Sequence, residues 1–229
     1  NIADYFSGIL LLNQSKYTDS YNYFKKLDGL EKSHPNYSRK YIYSLINSGN
    51  FSKAINFAKK LDREQKSNFE SDLVLGINYL KNSKYDLAKE YFIKANKNNS
   101  ISVLNDYIVN TLYVWSDLEN KNLEAAQLEL KQLDNRFENL KKIQNVFLNC
   151  YFNNKNTNIL FNKLISDEKT DFSRYNYFYA RHVDNQGEKI KAGEIVETAL
   201  SKYPRNLLLN QYKINLDLKI NFSDFHCSN

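Results

Sequence analysis

The chain of 229 residues is 42% hydrophobic, enough to bury a substantial core and too apolar for a disordered segment. Its six glycines and two prolines exclude turn-dense sandwiches and barrels and glycine-lined nucleotide folds, which leaves a helical protein. The net charge of +6 comes from 32 basic and 26 acidic residues, interleaved along the candidate helices, so solvated faces account for it and no concentrated basic stripe points to nucleic acid.

The predicted elements repeat. In the first copy, over 1–34, Gly8 stands nine residues before Tyr17, and Ser20, Phe24 and Leu27 follow at steps of three and four. The second copy, 35–67, repeats this 34 residues later with Ile42, Phe51, Ala54, Ala58 and Leu61, and the third, 68–101, again 34 later with Gly76, Tyr85, Ala88, Phe92 and Ala95. Steps of three and four keep one helical face apolar, and a small residue is required where two helices of a hairpin cross closely. A fourth copy, 102–136, carries Leu123, Ala126, Leu130 and Leu133. A fifth, 137–170, is read through Thr157, Leu160 and Leu164, with Leu160 in place of the small crossing residue. The sixth, 171–205, runs through Gly187, Ala192, Val196 and Ala199 to Pro204, which stops its second helix. A closing helix is predicted over 206–220, followed by a tail over 221–229.

A small residue, an aromatic, a turn such as Gly49-Asn50-Phe51, then Ala54, Ala58 and Leu61, resembles the tetratricopeptide repeat, and the resemblance covers nearly the whole chain. No Trp opens the copies and Pro35 falls three residues late, which blurs repeat boundaries. The first three copies are similar to tetratricopeptide proteins of bacterial envelopes, which favours a periplasmic or envelope location over the cytoplasm. The resemblance implies an all-α fold: a right-handed α-α superhelix of about six hairpins with a C-terminal capping helix, one solenoid over 1–229.

Such a solenoid presents its first helices on a concave face and binds another protein or peptide there without catalysis or cofactor. Inward positions three and four apart give Tyr5, Ile9 and Leu12, then Arg39, Tyr43 and Asn47, then Leu73, Ile77 and Leu80, Trp115, Asn145 and Asn149, and finally Tyr177 and Arg181. Partner binding is therefore expected at Tyr5, Arg39, Tyr43, Asn47, Trp115, Asn145, Asn149, Tyr177 and Arg181, with Tyr43, Trp115, Tyr177 and Arg181 as anchors. The same aromatics would also serve to fill the core between repeats. Repeats that clamp chaperone tails use a set of Lys, Asn and Arg that Tyr5 and Ile9 do not match, so that partner is disfavoured. The alternatives are a permanent structural subunit of a larger assembly and, remotely, a pentatricopeptide-like RNA binder, whose base-reading positions Tyr5, Arg39 and Leu73 do not supply.

Nothing in the sequence assembles an active site. His34, His182 and His226 are scattered, and no glycine-rich phosphate loop occurs. Cys150 and Cys227 lie far apart and form no CxxC pair, so neither a disulfide framework nor a zinc site is implied. The most apolar stretch, 101–115, is interrupted by Asn105, Asp106 and Asn110, and no membrane span is expected. With no methionine and Asn1 at its head, the segment reads as processed or excised.

Overall fold

The computed structural model describes residues 2–98, 102–218, 220 and 225–227, and among them every regular element is helical. The junction at 99–101, the end of the expected closing helix at 219, and most of the expected tail lie outside the described residues. The chain divides into two compact units, Asn1–Asn120 and Lys121–Asn229. The division falls inside the fourth expected copy.

The first unit contains α1 (Ile2–Asn13), α2 (Tyr17–Phe24), α3 (Pro35–Asn47), α4 (Phe51–Arg63), α5 (Phe69–Lys81), α6 (Tyr85–Lys97) and α7 (Val103–Ser116), each packed on the next. Pro35 opens α3 because its missing N–H costs nothing in the first turn. Asn68 and Ser71 close a reciprocal cap at the head of α5, the Asn68 side chain accepting from the Ser71 N–H at 3.0 Å and the Ser71 hydroxyl from the Asn68 N–H at 2.9 Å. Five hairpin turns carry one left-handed residue each, Ser15, Gly49 and Ser83 in the first three copies and Asn153 and Gly187 in the second unit. The 34-residue period is thus a backbone period as well as a side-chain one.

The crossing of each hairpin shows why the small residues recur. Ser20, Ala54 and Ala88 are all buried, and the Ser20 hydroxyl donates to the Gly8 carbonyl at 2.8 Å. A Cβ at Gly8 would lie 2.7 Å from the Phe24 ring, and one at Gly76 would lie 2.5 Å from the Phe92 ring. Glycine in the first helix and phenylalanine in the second are one packing solution. The second copy inverts the sizes, with Ile42 and Ala58 both fully buried at the same two positions.

The second unit contains α8 (Leu123–Gln132), α9 (Glu138–Tyr151), α10 (Thr157–Ile165), α11 (Tyr175–Asn185), α12 (Lys189–Lys202) and α13 (Leu207–Asp217). Its register corrects the expected fifth copy. Thr157 and Phe161 are buried while Leu160 is only half-buried, so Thr157 occupies the crossing position and Leu160 replaces nothing. The slip is three residues, which keeps the same helical face, and for that reason the apolar pattern alone did not separate the two readings. Lys141 is buried, and its ammonium donates to the carbonyls of Leu133 at 3.0 Å and Lys131 at 3.3 Å, capping the end of α8.

The two cysteines, which nothing in the sequence pairs, meet in the fold. Cys150, fully buried at the end of α9, is joined to Cys227 by a disulfide with a Cα separation of 5.2 Å, inside the range a disulfide requires. Sequence distance was no guide, because the segment 225–227 returns to the middle of the unit. The Phe225 ring sits 5.1 Å from that of Phe178 and 6.0 Å from that of Phe147.

Candidate partner-binding surfaces

In the first unit α3 and α5 lie side by side, and a forked ion pair fixes them: the Arg39 Nε donates to both Glu70 oxygens at 3.0 and 3.1 Å, and its Nη2 lies 3.0 Å from Oε1. One turn along α3, Tyr43 is 50% exposed, its ring edge-on to Tyr17 at 6.1 Å. Asn47 is exposed and its side-chain amide donates to the Tyr43 carbonyl at 2.8 Å. On α5, Ile77 is 46% exposed. Arg39, Tyr43, Asn47 and Ile77 are thus brought to the outside of adjacent first helices, a mixed apolar and polar surface on rigid elements.

Tyr5 stands apart from them. It is half-buried, burial pushes its phenol up, and it lines an open cleft of about 660 Å³ together with Ile2, Phe6, Leu30 and His34. Its ring lies 4.9 Å from that of His34. Trp115 is half-buried on α7.

In the second unit Asn145 is half-buried between two clefts of 420 and 300 Å³ bordered by Glu138 and Lys142, and it accepts from the Gln127 amide at 2.8 Å. Asn149, Tyr177 and Arg181 are buried. Asn149 donates to the Asn145 carbonyl at 2.8 Å. Arg181, only 2% exposed, pairs with Asp184 at 2.9 Å and lies over the Tyr212 ring, with its guanidinium carbon 5.3 Å from the centroid. The Tyr212 hydroxyl donates to the same Asp184 carboxylate at 2.9 Å, and the Tyr177 and Tyr212 rings meet edge-on at 5.4 Å. Burial, with the Asp184 carboxylate accepting a hydrogen bond from it, pushes the Tyr212 phenol up. This group binds α11 to the closing helix α13, and a partner would reach Tyr177 and Arg181 only by displacing α13. The signal for it was present in the sequence as Asp184, three residues after Arg181.

Two groups escaped the sequence reading. One is the apolar cleft around Ile2 and Phe6. The other is the cluster of Cys150, Cys227 and His182, whose Nδ1 lies 3.4 Å from one sulfur and 3.5 Å from the other.

Hairpins of two helices, small residues at their crossings and left-handed residues recurring 34 apart in their turns define a tetratricopeptide-like helical-repeat protein. Solved structures agree: 91% of the chain matches 41% of a chain in the APC/C hetero-tetramer Cut9–Hcn1, with a TM-score of 0.56 and 13% identity. It therefore spans less than half the length of that chain. Looser matches are YrrB, a TPR protein with an unusual peptide-binding site (TM-score 0.47, 16% identity, 83% of this chain and 97% of that one), and the TPR2AB-domain:pHSP90 complex of yeast Sti1 (TM-score 0.35, 13% identity, 94% and 97%). The fold assignment rests on the first. No family model matches the sequence, and no curated protein matches it.

Proposed function

We propose that the chain is a non-catalytic interaction scaffold that holds a peptide or protein segment against its first helices. The observation that carries this reading is the pair of adjacent helices α3 and α5, locked by Arg39 and Glu70 and presenting Tyr43, Asn47 and Ile77 outward. A surface built on packed helices loses little freedom when a partner docks, so an exposed tyrosine and isoleucine there contribute affinity at low ordering cost. Tyr5 and Trp115 extend the same reading to α1 and α7 of the first unit; in the second unit, taken by itself, Asn145 on α9 is the position proposed.

Affinity capture from the source cells tests it, comparing the wild-type chain with Tyr43→Ala/Asn47→Ala on α3 and with Leu87→Ala/Ile93→Ala on the second helix α6. Loss of one and the same partner from the first variant alone supports the reading. Retention by the first variant together with loss from the second overturns it.

A second reading, a permanent subunit of a larger assembly, is favoured by the exposed apolar side chains at the end of the chain: Ile190, Leu207, Ile214 and Leu218. The hetero-tetrameric state of the Cut9–Hcn1 structure supports the same idea. Light scattering separates the two, since an orphaned subunit self-associates through such residues and an exchangeable scaffold stays monodisperse.

A further inference from the structure

We propose that, once its disulfide is reduced, the second unit binds a thiophilic divalent cation, such as zinc, through Cys150 Sγ, Cys227 Sγ and His182 Nδ1. The three ligand atoms converge from α9, α11 and the returning segment at 225–227, and lie within 4.8 Å of one another. Zinc holds thiolate sulfur at about 2.3 Å and imidazole nitrogen at about 2.0–2.1 Å, so a tetrahedral site sets sulfur and nitrogen about 3.5–3.6 Å apart. The two sulfur-to-Nδ1 distances are 3.4 and 3.5 Å. Breaking the sulfur–sulfur bond frees the two sulfurs to separate by rotation about their Cα–Cβ bonds.

Reduction does not release Cys227 from the site. The segment that carries it is held independently by the Asn185 amide, which donates to the Phe225 carbonyl at 2.8 Å, and by the Phe225 ring against Phe147 and Phe178. The imidazole is held from its far side as well, with the Gln186 amide nitrogen 3.2 Å from His182 Nε2. A metal on Nδ1 leaves the proton on Nε2, and half a turn of the Gln186 carboxamide brings its oxygen round to accept it. Such support orients a ligating histidine. Cys150 and His182 are buried and Cys227 is partly exposed, so the fourth position is left to solvent on the Cys227 side.

The chemistry is a two-electron exchange followed by ligation. An external dithiol reduces the disulfide to two thiols and is itself oxidised to a disulfide. The cation then takes the place of the two thiol protons, which pass to solvent. Disulfide and metal are thus alternative clasps between the same parts of the fold.

The test is anaerobic titration of the full chain with cobalt(II), before and after reduction by a phosphine, with thiol counting to confirm each state. The reduced chain is expected to show an intense thiolate-to-cobalt charge-transfer band that saturates as a single site, and the disulfide form none. Cys227→Ser is expected to lose most of the band and to bind at least about tenfold more weakly, with its helical circular dichroism unchanged; Gln186→Ala is expected to keep the band and bind about tenfold more weakly. Absence of the band from the reduced wild-type chain overturns the proposal. So does an equal band in Cys227→Ser or in the disulfide form, or a disulfide that resists reduction while the chain stays folded.

Discussion

Adding one methyl group at Gly76 tests the packing rule on which the repeat is built. The new Cβ would lie 2.5, 2.7 and 3.1 Å from three carbons of the Phe92 ring, where ordinary contact begins near 3.4 Å. The ring cannot simply retreat, because Phe92 is fully buried in a cluster with Phe69, Ala88, Ala95 and Val109. Overpacking costs about 1–3 kcal/mol, and a contact as short as 2.5 Å puts it at the upper end, about 2–3; alanine's better helix propensity returns up to about 1 kcal/mol, so Gly76→Ala is expected to lose about 1–2 kcal/mol. Phe92→Ala alone should lose about 3–5 kcal/mol by leaving a cavity. Gly76→Ile/Phe92→Ala recreates the Ile42 and Ala58 solution of the second copy and should be more stable than the sum of its parts by about 1–3 kcal/mol. Trp115, the single tryptophan, belongs to the same unit, so its fluorescence during urea unfolding reports on that unit. A Gly76→Ala chain as stable as wild type, or additive single effects in the double variant, would refute the reasoning.

Ser83 sits at φ 54° and Gly49 at φ 76° in equivalent turns, so Ser83→Gly should stabilise by about 0.5–1 kcal/mol and Gly49→Ala should destabilise by about 1 kcal/mol, both read from urea midpoints. Asp72 is fully buried; burial pushes its carboxyl up, the neighbouring Asp62 adds to the effect, and the Asn98 amide, donating at 2.8 Å, and Lys94 oppose it. Because the folded value lies above the unfolded one, the cost of ionising Asp72 is absent below the ordinary carboxyl range and grows as pH rises through the folded value. Asp72→Asn should therefore raise the unfolding midpoint at pH 7, and the gain should vanish in acid. Glu31 is buried with its carboxylate 2.7 Å from the Lys60 ammonium and accepting from the Gly29 N–H at 2.9 Å. Lys60→Met strands that charge and should cost about 1–3 kcal/mol in urea unfolding at pH 7, the lower end being set by the partial exposure of Lys60.

The fold was legible because its signal is repeated. Gly8 and Gly76, Ser20, Ala54 and Ala88, and the aromatics 34 residues apart each say little alone, but the crossing geometry demands them together, and the structure shows the demand as rings that would meet any added Cβ. The fifth copy was misread by three residues because Thr157 and Leu160 lie on the same face. The surface was less legible than the fold. Spacing placed Arg39, Tyr43 and Asn47 on a first helix correctly, but it could not foresee that α13 would cover Tyr177 and Arg181, since that depends on a contact between elements far apart in the chain. The disulfide was invisible for the same reason: Cys150 and Cys227 are 77 residues apart, and only the returning chain joins them.

The central claim is that the first helices of the first unit hold a partner, and site-specific photocrosslinking in the source cells tests it most directly. A benzophenone amino acid at Tyr43 or Ile77, on α3 and α5, is expected to trap the same polypeptide, whereas the same probe at Leu87 or Ile93, equally exposed on α6, is expected to trap none. A polypeptide trapped only from Leu87 and Ile93, or from none of the four positions, would contradict the claim.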